Sequence, residues 1–305
     1  MKNIIKLTIL AFVVLSSCKK DKTSAPVNNG EEKTVTFSIN NFGIEHGDIK
    51  INSLRDAVVN QTNSNIKEIR IGIYNKQGIL YQNISRTDTG NGFGNIALKI
   101  PVGEYTVIFA GSVHLPDEVF PVKMTSPLST ANIDYAYSRQ LEDFYKKITL
   151  NVVNEDITQP ITLDRVVAQL QVTIKDAIPP GTDHIALTVD TTYDKLQLID
   201  GKPVTSSIRT GITYYYNVEN AIGQSNFVMS RYLYPMNNNP IGISIKSYDR
   251  KNVLISSKAI RTATIARNKI TQLAGNLFGG NGSGNNGTSV VVDSGWSSDV
   301  IEKQF

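Results

Sequence analysis

The sequence predicts an all-β protein with two tandem seven-stranded β-sandwich domains, which follow a signal peptide and a flexible tether. Apolar stretches with the period of two that is typical of half-buried strands recur along the chain. They number about fourteen, with turn residues roughly every 8 to 12 positions. No stretch sustains the period of 3.6 residues that an amphipathic helix requires. We therefore expect packed sheets rather than a helical or α/β fold.

The first residues have the three parts of a secretory signal, and the segment ends in a cysteine. Basic Lys2 and Lys6 precede a short apolar stretch, and small residues lead up to Ser17 and Cys18. The apolar stretch is too short to cross a bilayer core, which takes roughly 20 residues. Cys18 is the only cysteine of the chain, and its thiol can receive a diacylglycerol before the bond after Ser17 is cleaved. The pattern predicts a signal peptide at residues 1–17 and lipidation of Cys18.

The same cysteine would also fit an ordinary secretory signal in which it occurs by chance, or a cytosolic chain in which it is buried and packs as a small hydrophobe. A lone cysteine in an exported protein would be an unpaired thiol in an oxidising compartment, and lipidation removes that difficulty. Lys19 stands where an acidic residue would retain some lipoproteins at the inner membrane. We therefore predict a lipid-anchored, surface-exposed protein of the outer membrane.

The charge of the chain indicates no nucleic-acid partner. The sequence has 31 basic and 27 acidic residues, and removal of the signal takes away two lysines and no acid. The one basic cluster, Lys19, Lys20 and Lys22, lies beside the lipid, where it can contact anionic headgroups. The tether at 18–33 is too poor in apolar residues to order itself.

Turn residues predict the hairpins and the domain boundary. Asn75–Gly78 and Tyr248–Asn252 each lie between two strand patterns, and Pro101 with Gly103 forms a corner between two more. Residues 114–137 contain three prolines and predict irregular structure with one short strand. An interruption after Val153 predicts an N-terminal sandwich at 34–160 and a C-terminal sandwich at 161–305.

No residue pattern indicates an enzyme, a metal or a cofactor. His46, His114 and His184 are far apart and outside metal-binding spacings, and no G-x-S-x-G nucleophile motif is present. The glycine string at 90–94 precedes a strand rather than a helix, which predicts a turn and not a phosphate loop.

Two groupings could bind a ligand. One pairs Asp190 with Asp194, and the other joins Tyr214–Tyr216 with Tyr232 and Tyr234. Exposed aromatic rings stack on sugars, so a glycan surface is one interpretation. Tyrosine is also a favoured strand residue, and three consecutive strand residues must point to alternate faces. We favour the structural role for these tyrosines.

Several motifs occur together in this order: Ile100–Val107, Leu141–Tyr145, Leu163–Val172, Arg267–Gly275 and a late Trp296. With the lipidation signal they resemble the fimbrillin superfamily, and most closely its FimB-type fimbrial anchor lipoproteins. The resemblance implies two transthyretin-like sandwich domains and a non-enzymatic role in surface fimbriae. Partners would be the membrane, through the lipid, and fimbrial stalk or other subunits.

The resemblance also implies assembly by β-strand addition. Stalk subunits of the family lose an early strand to an arginine-specific protease, and a strand of the next subunit fills the groove. Anchor subunits keep the lipidated N-terminus, so we predict that neither Arg55 nor Arg70 is cut. The tail after the glycine-rich break at 279–287 either reaches another subunit or folds back as the last strand of its own sandwich, and we favour the second.

The sequence thus predicts an outer-membrane lipoprotein that acts as a fimbrial anchor or accessory subunit. The alternative is a surface glycan-binding lipoprotein of a nutrient-uptake system, with sugar contacts at Tyr214 and Tyr232. A host surface would be another target for such a protein.

Overall fold

A computed structural model describes residues 30–42, 66–88, 93–113, 119–135, 140–235 and 239–279. The predictions for Ser17, Cys18, Arg55, the first two histidines and the tail at 288–305 lie outside these residues. The described residues form 18 strands and no α-helix. None of them forms a helix of the length and apolarity that crossing a membrane would need.

In the described residues, seven strands build the N-terminal sandwich. They are β1 (Glu32–Phe42), β2 (Glu68–Asn75), β3 (Leu80–Thr87), β4 (Asn95–Pro101), β5 (Gly103–Val113), β8 (Glu142–Val152) and β9 (Ile157–Arg165). One sheet has the order β3-β2-β5-β8 and the other the order β9-β1-β4, and pairing of β8 with β9 joins them at one end. Phe37 of β1 meets Phe109 of β5 between the sheets, with ring centroids 5.1 Å apart.

Seven further strands of the described part of the chain build the C-terminal sandwich. They are β10 (Ala168–Ile174), β11 (His184–Tyr193), β14 (Ile208–Asn217), β15 (Phe227–Leu233), β16 (Pro240–Tyr248), β17 (Leu254–Thr264) and β18 (Ile270–Gly275). Its sheets have the orders β15-β10-β18 and β14-β11-β16-β17. Burial alternates at every residue of β10, as a strand facing one core requires. The prediction of two tandem seven-stranded sandwiches is confirmed.

Both predicted hairpins are present, and the same device forms each turn. The side chain of Asn75 accepts hydrogen bonds from the backbone nitrogens of Gln77 and Ile79. Asp249 does the same for two backbone nitrogens of its own turn. Gly78 supplies a φ of +74°, which residues with a Cβ rarely adopt.

A small four-stranded sheet between the sandwiches was not predicted. Its strands are β6 (Val122–Lys123), β7 (Asn132–Asp134), β12 (Lys195–Gln197) and β13 (Lys202–Pro203), in the order β13-β12-β7-β6. The segment expected to hold one short strand therefore holds two. Strands of two or three residues are too short to show a period, and β7 pairs with β12, which lies far along the chain.

The predicted boundary at residues 160 and 161 falls inside β9. This strand pairs in parallel with β1, from Val35 beside Ile157 to Phe42 beside Leu163. Its second half therefore belongs to the N-terminal sandwich, and the chain changes sandwich after Arg165. The first strand also begins at Glu32, two residues inside the predicted tether.

The N-terminal sandwich has its own apolar core between its two sheets, and its outer face adds to a second core, which we call the shared core. Four side chains of the N-terminal sandwich, Tyr74, Ile108, Ala110 and Tyr145, belong to the buried cluster of the small sheet and the C-terminal sandwich. Because β1 and β9 run in parallel, the tether enters the N-terminal sandwich at one end and the chain leaves at the other. The C-terminal sandwich continues from there to a distal end, where β10 and β18 finish and β11 begins.

Candidate functional site at the junction of the two sandwiches

A buried carboxylate connects the elements at the junction. Asp143, near the start of β8, is 0% exposed. The hydroxyls of Tyr135 and Tyr234 donate to its two oxygens, each at 2.8 Å. Its backbone oxygen accepts a hydrogen bond from the Val166 nitrogen at 2.9 Å. One residue therefore links the segments that follow β7, β9 and β15.

Burial dominates the electrostatics of this carboxylate. Desolvation raises the pKa of Asp143 to about 7, and the hydrogen bonds from the two tyrosines offset only part of that effect. Burial beside this carboxyl also raises the pKa of Tyr135 and Tyr234 well above the usual range. Both hydroxyls therefore stay protonated and can donate throughout the physiological range.

The neighbouring acid is held as a buried ion pair. The Glu142 carboxylate forms an ion pair with the Arg165 guanidinium at 2.6 Å, and both side chains are almost fully buried. Tyr232 donates to the other oxygen of Glu142 at 3.1 Å. The guanidinium also donates to Asn268 at 2.9 Å and lies over the ring of Phe144. These partners satisfy the demand of buried charges for pairing and hydrogen bonds.

A turn of the small sheet packs on β8 beside these acids. The hydroxyl of Tyr145 donates to the Leu198 oxygen at 2.8 Å, and Arg267 donates to the Gly201 oxygen at 3.2 Å. A Cβ at Gly201 would lie 2.6 Å from the Tyr145 ring. The close approach of this turn to the N-terminal sandwich therefore requires glycine.

We define the junction cluster as Tyr135, Glu142, Asp143, Arg165, Tyr232 and Tyr234. Three of the motifs noted in the sequence, around residues 141–145, 163–172 and 267–275, meet here. Their acids, guanidinium and hydroxyls bind one another, so the arrangement fixes one sandwich against the other. Two adjacent acids, Glu142 and Asp143, inside the otherwise apolar stretch Leu141–Tyr145 were the signal in the sequence for this cluster. The residues that pair with these acids are remote in sequence and could not be identified.

The candidate tyrosines do not form a single surface. Tyr214 and Tyr216 lie against the Arg231 guanidinium, with 4.9 Å and 4.6 Å between its carbon and the ring centroids. Tyr215, between them, is 66% exposed, which confirms the predicted alternation. Tyr232 and Tyr234 instead donate to the acids of the junction cluster. Tyr234 is fully buried and cannot stack on a sugar.

The candidate acids and the described histidine form no metal site. Asp190 is exposed and packs over Gly242, whereas the Asp194 carboxylate faces Arg209 at 3.9 Å. His184 contacts Asp183 at 2.8 Å. In the described part of the chain, no three His, Cys, Asp or Glu side chains group together to hold an ion.

Arg70 lies in a fully paired strand. It belongs to β2, which hydrogen-bonds to β3 on one side and β5 on the other. Its guanidinium forms an ion pair with Glu68. A protease binds its substrate as an extended segment with free backbone groups, and the backbone groups of this part of β2 are already paired in the folded protein.

The end of the glycine string at 90–94 contacts the first strand. The backbone oxygen of Gly94 accepts a hydrogen bond from the Ile39 nitrogen of β1 at 2.7 Å.

The distal end of the C-terminal sandwich has two outer strands side by side. In the described residues β17 pairs with β16 and β18 pairs with β10, and the Ser256 hydroxyl of β17 donates to the Leu277 oxygen just after β18. The Asp176 carboxylate accepts hydrogen bonds from three successive backbone nitrogens, those of residues 277, 278 and 279, at 2.6–2.9 Å. This carboxylate fixes the point from which the tail departs.

Comparison with known proteins shows the fold and the family. The structure is similar to a proposed polysaccharide-binding protein (DUF1812) from Bacteroides thetaiotaomicron, with a TM-score of 0.55 and 10% identity over 90% of this chain and 98% of the other. It is also similar to two proposed adhesins from Bacteroides ovatus. One has a TM-score of 0.53 and 12% identity over 89% of this chain and 95% of the other; the second has 0.51 and 13% over 75% and 82%.

At these identities the likeness shows a shared fold. No curated protein sequence matches this chain. The profile of DUF6562, a family of unknown function, matches residues 123–304, which is more than half of the chain. The chain therefore belongs to the DUF6562 family.

Proposed function

We propose that this protein is a surface-exposed outer-membrane lipoprotein that serves as an anchor or accessory subunit of a fimbria, of the FimB type. Lipid on Cys18 holds it, and other subunits join it by β-strand addition. The observation that carries the proposal is the position of β1, because it joins the predicted lipid tether directly to the core of the N-terminal sandwich.

The strand β1 lies in the middle of its sheet, between β9 and β4. Its side chains Val35, Phe37 and Ile39 are at most 5% exposed. Pull on the tether would therefore act on a strand that is hydrogen-bonded on both sides. Since the tether enters opposite the junction, anchorage at Cys18 would direct the C-terminal sandwich away from the membrane.

The shared fold with proposed adhesins of Bacteroides supports a role at the cell surface. The distal end supports strand addition, because the outer strands β17 and β18 lie there. Three apolar side chains, Val253 just before β17 and Leu254 and Ile255 at its start, are 42–58% exposed. An added strand would cover apolar surface of this kind.

Lipidation is tested by fractionation of cells that make the Cys18→Ala variant. We expect the native protein, and a Ser17→Ala control that keeps a small residue at the cut, to sediment with membranes. Cys18→Ala should appear in the soluble fraction or the medium, because no acyl chains hold it. Equal membrane association of the cysteine variant would contradict the anchor.

Retention of the N-terminus is tested by the intact mass of the surface protein after exposure to an arginine-specific protease. We expect the lipidated N-terminus to remain, because cleavage at Arg55 or Arg70 would separate the sandwiches from Cys18. A product that begins directly after either arginine would instead indicate a stalk-type subunit.

Deletion of residues 288–305 tests how the tail is used. A monomer of unchanged stability that no longer enters polymers would support donation of the tail to another subunit. A destabilised monomer would support the predicted fold-back. A stable monomer that still assembles would show that the tail serves neither purpose.

A further inference from the structure

Three aromatic rings form a row on the outer face of the C-terminal sandwich at its distal end. His184, the first residue of β11, stacks on Tyr248 of β16, with centroids 5.2 Å apart and planes at 19°. The edge of Tyr215, on β14, approaches the same imidazole at 5.6 Å. We call these three residues the distal row. Tyr215 presents its ring to solvent with 66% of its surface exposed.

Charged side chains with planar groups stand beside the distal row. Asp183 contacts the His184 ring at 2.8 Å and lies 3.9 Å from the Arg250 guanidinium. Arg250 also forms an ion pair with Glu219, and both of these side chains are at least half exposed. Three acids, Asp183, Glu219 and Asp249, therefore lie near two bases, Arg250 and Lys251.

The loops that carry these charges enclose an open groove of about 630 Å³. It is lined by Gly181, Thr182, Glu219, Asp249, Arg250 and Lys251, among others. Its volume lies within the range of about 300 to 1,000 Å³ that is usual for ligand sites. The groove adjoins the distal row along the chain. Thr182 is two residues from His184, Asp249 is next to Tyr248, and Glu219 is four residues from Tyr215.

We propose that the distal row and the adjoining groove bind a neutral polysaccharide. A sugar ring has a C–H face that packs on an exposed aromatic ring, and its hydroxyls pair with carboxylate and guanidinium groups. Charges of both signs are interspersed with one acid in excess, which disfavours a polyanion and is too small a surplus to select a polycation. An open groove, unlike a closed cavity, lets a chain continue past the bound residues.

This site differs from the glycan surface considered in the sequence. Tyr214 is packed against Arg231, and Tyr232 donates a hydrogen bond to Glu142. On β14, the ring that remains available to a sugar is that of Tyr215. Its partners, His184 and Tyr248, come from neighbouring strands. Binding here does not depend on the proposed fimbrial role, because neither the tether nor the tail forms part of the site.

The experiment is native affinity electrophoresis of the detergent-solubilised full chain in gels that contain yeast mannan, laminarin or soluble xylan. Heparin gels provide the polyanion comparison. We expect at least one neutral polysaccharide to retard the native protein. Tyr215→Ala should weaken that retardation about tenfold, as loss of one stacked ring predicts. Arg250→Ala should weaken it as well.

Ile208→Ala is the matched control, because Ile208 is 49% exposed at the other end of the same strand. It should keep native retardation, and the thermal unfolding midpoint of Tyr215→Ala should match that of the control. Retardation by none of the three polysaccharides, or equal retardation of Tyr215→Ala and native protein, would overturn the proposal. Capture of a protein alone by a photo-crosslinker at position 215 would also overturn it.

Discussion

Asp143 is the residue at which most elements of the molecule meet. Its carboxylate and backbone oxygen receive hydrogen bonds from three separate segments. A buried carboxylate is unfavourable when charged, and two tyrosine donors reduce that cost without cancelling it. The junction is therefore held by a group whose charge depends on pH.

Asp143 should make stability depend on pH. Its pKa is about 7 when folded and about 3.9 when unfolded. Between these values the folded state holds a proton that the unfolded state releases, so the contribution is fully present below about pH 4 and is lost as the pH rises through 7. We expect Asp143→Asn to reduce this fall in the free energy of unfolding, which is on the order of 2 to 4 kcal/mol.

Urea unfolding at several pH values between 4 and 7 measures the slope. Asp164→Asn is a suitable control, since Asp164 pairs with Lys146 near the surface. An unchanged slope in Asp143→Asn, or an equal change in the control, would rule out Asp143 as the source.

Loss of Arg165 should destabilise the protein strongly. Arg165→Met leaves the Glu142 carboxylate buried without its cation, which costs about 3 to 5 kcal/mol. Lys67→Met is the control, because Lys67 and Asp88 form an exposed pair that contributes less than about 1 kcal/mol. Adding Glu142→Leu to Arg165→Met should recover much of the loss in denaturant unfolding. Equal losses of stability in Arg165→Met and Lys67→Met would contradict the predicted cost of an unpaired buried charge.

Gly201 tests the close packing of the small sheet on β8. Gly201→Ala places a Cβ against Tyr145 and also a side chain at a φ of +67°. Gly211 has a φ of +65° with open space around it, so Gly211→Ala carries only the backbone cost of about 1 to 2 kcal/mol. We expect Gly201→Ala to lose a further 1 to 3 kcal/mol or so from the free energy of unfolding. Equal losses would mean that the turn moves freely away from Tyr145.

At the scale of elements, the small sheet was the part of the fold that local sequence could not predict. Several long strands were recognisable because their apolar residues alternate, as in β10 and β16, and the two hairpins because turn residues separate two strand patterns. The strands β6, β7, β12 and β13 are two or three residues long. Two local pairs, β6 with β7 and β12 with β13, become one sheet because β7 pairs with β12 across the two halves. A pairing partner that is remote in sequence leaves no local pattern.

The small sheet should nevertheless contribute to stability. Leu196 of β12 is fully buried in the shared core, so Leu196→Ala should lower the free energy of unfolding by about 2 to 5 kcal/mol. Ile208→Ala, an exposed apolar residue nearby in sequence, should lower it by less than about 1 kcal/mol. Hydrogen exchange should be faster at β7 and β12 in the Leu196 variant. Unchanged exchange there would indicate that the sheet is held by other contacts.

At the scale of the whole molecule, the shared core should make the two sandwiches unfold together. The buried cluster runs from the outer face of β2, β5 and β8 through the small sheet into the C-terminal sandwich. We expect a single calorimetric transition, with calorimetric and van't Hoff enthalpies in agreement. Two separated transitions would mean that the junction cluster and its surroundings contribute little to coupling.

The sequence by itself determined the class of the fold and the positions of most long strands, and it predicts lipidation at Cys18. These follow from local features: a period of two, turn residues and the order of residues in a targeting segment. Tertiary structure alone decided where one sandwich ends, which tyrosines are buried and which remain available, and how Glu142 and Asp143 find their partners. Each of those outcomes depends on residues tens to more than a hundred positions apart, whose contact is created by chain topology and not by local pattern.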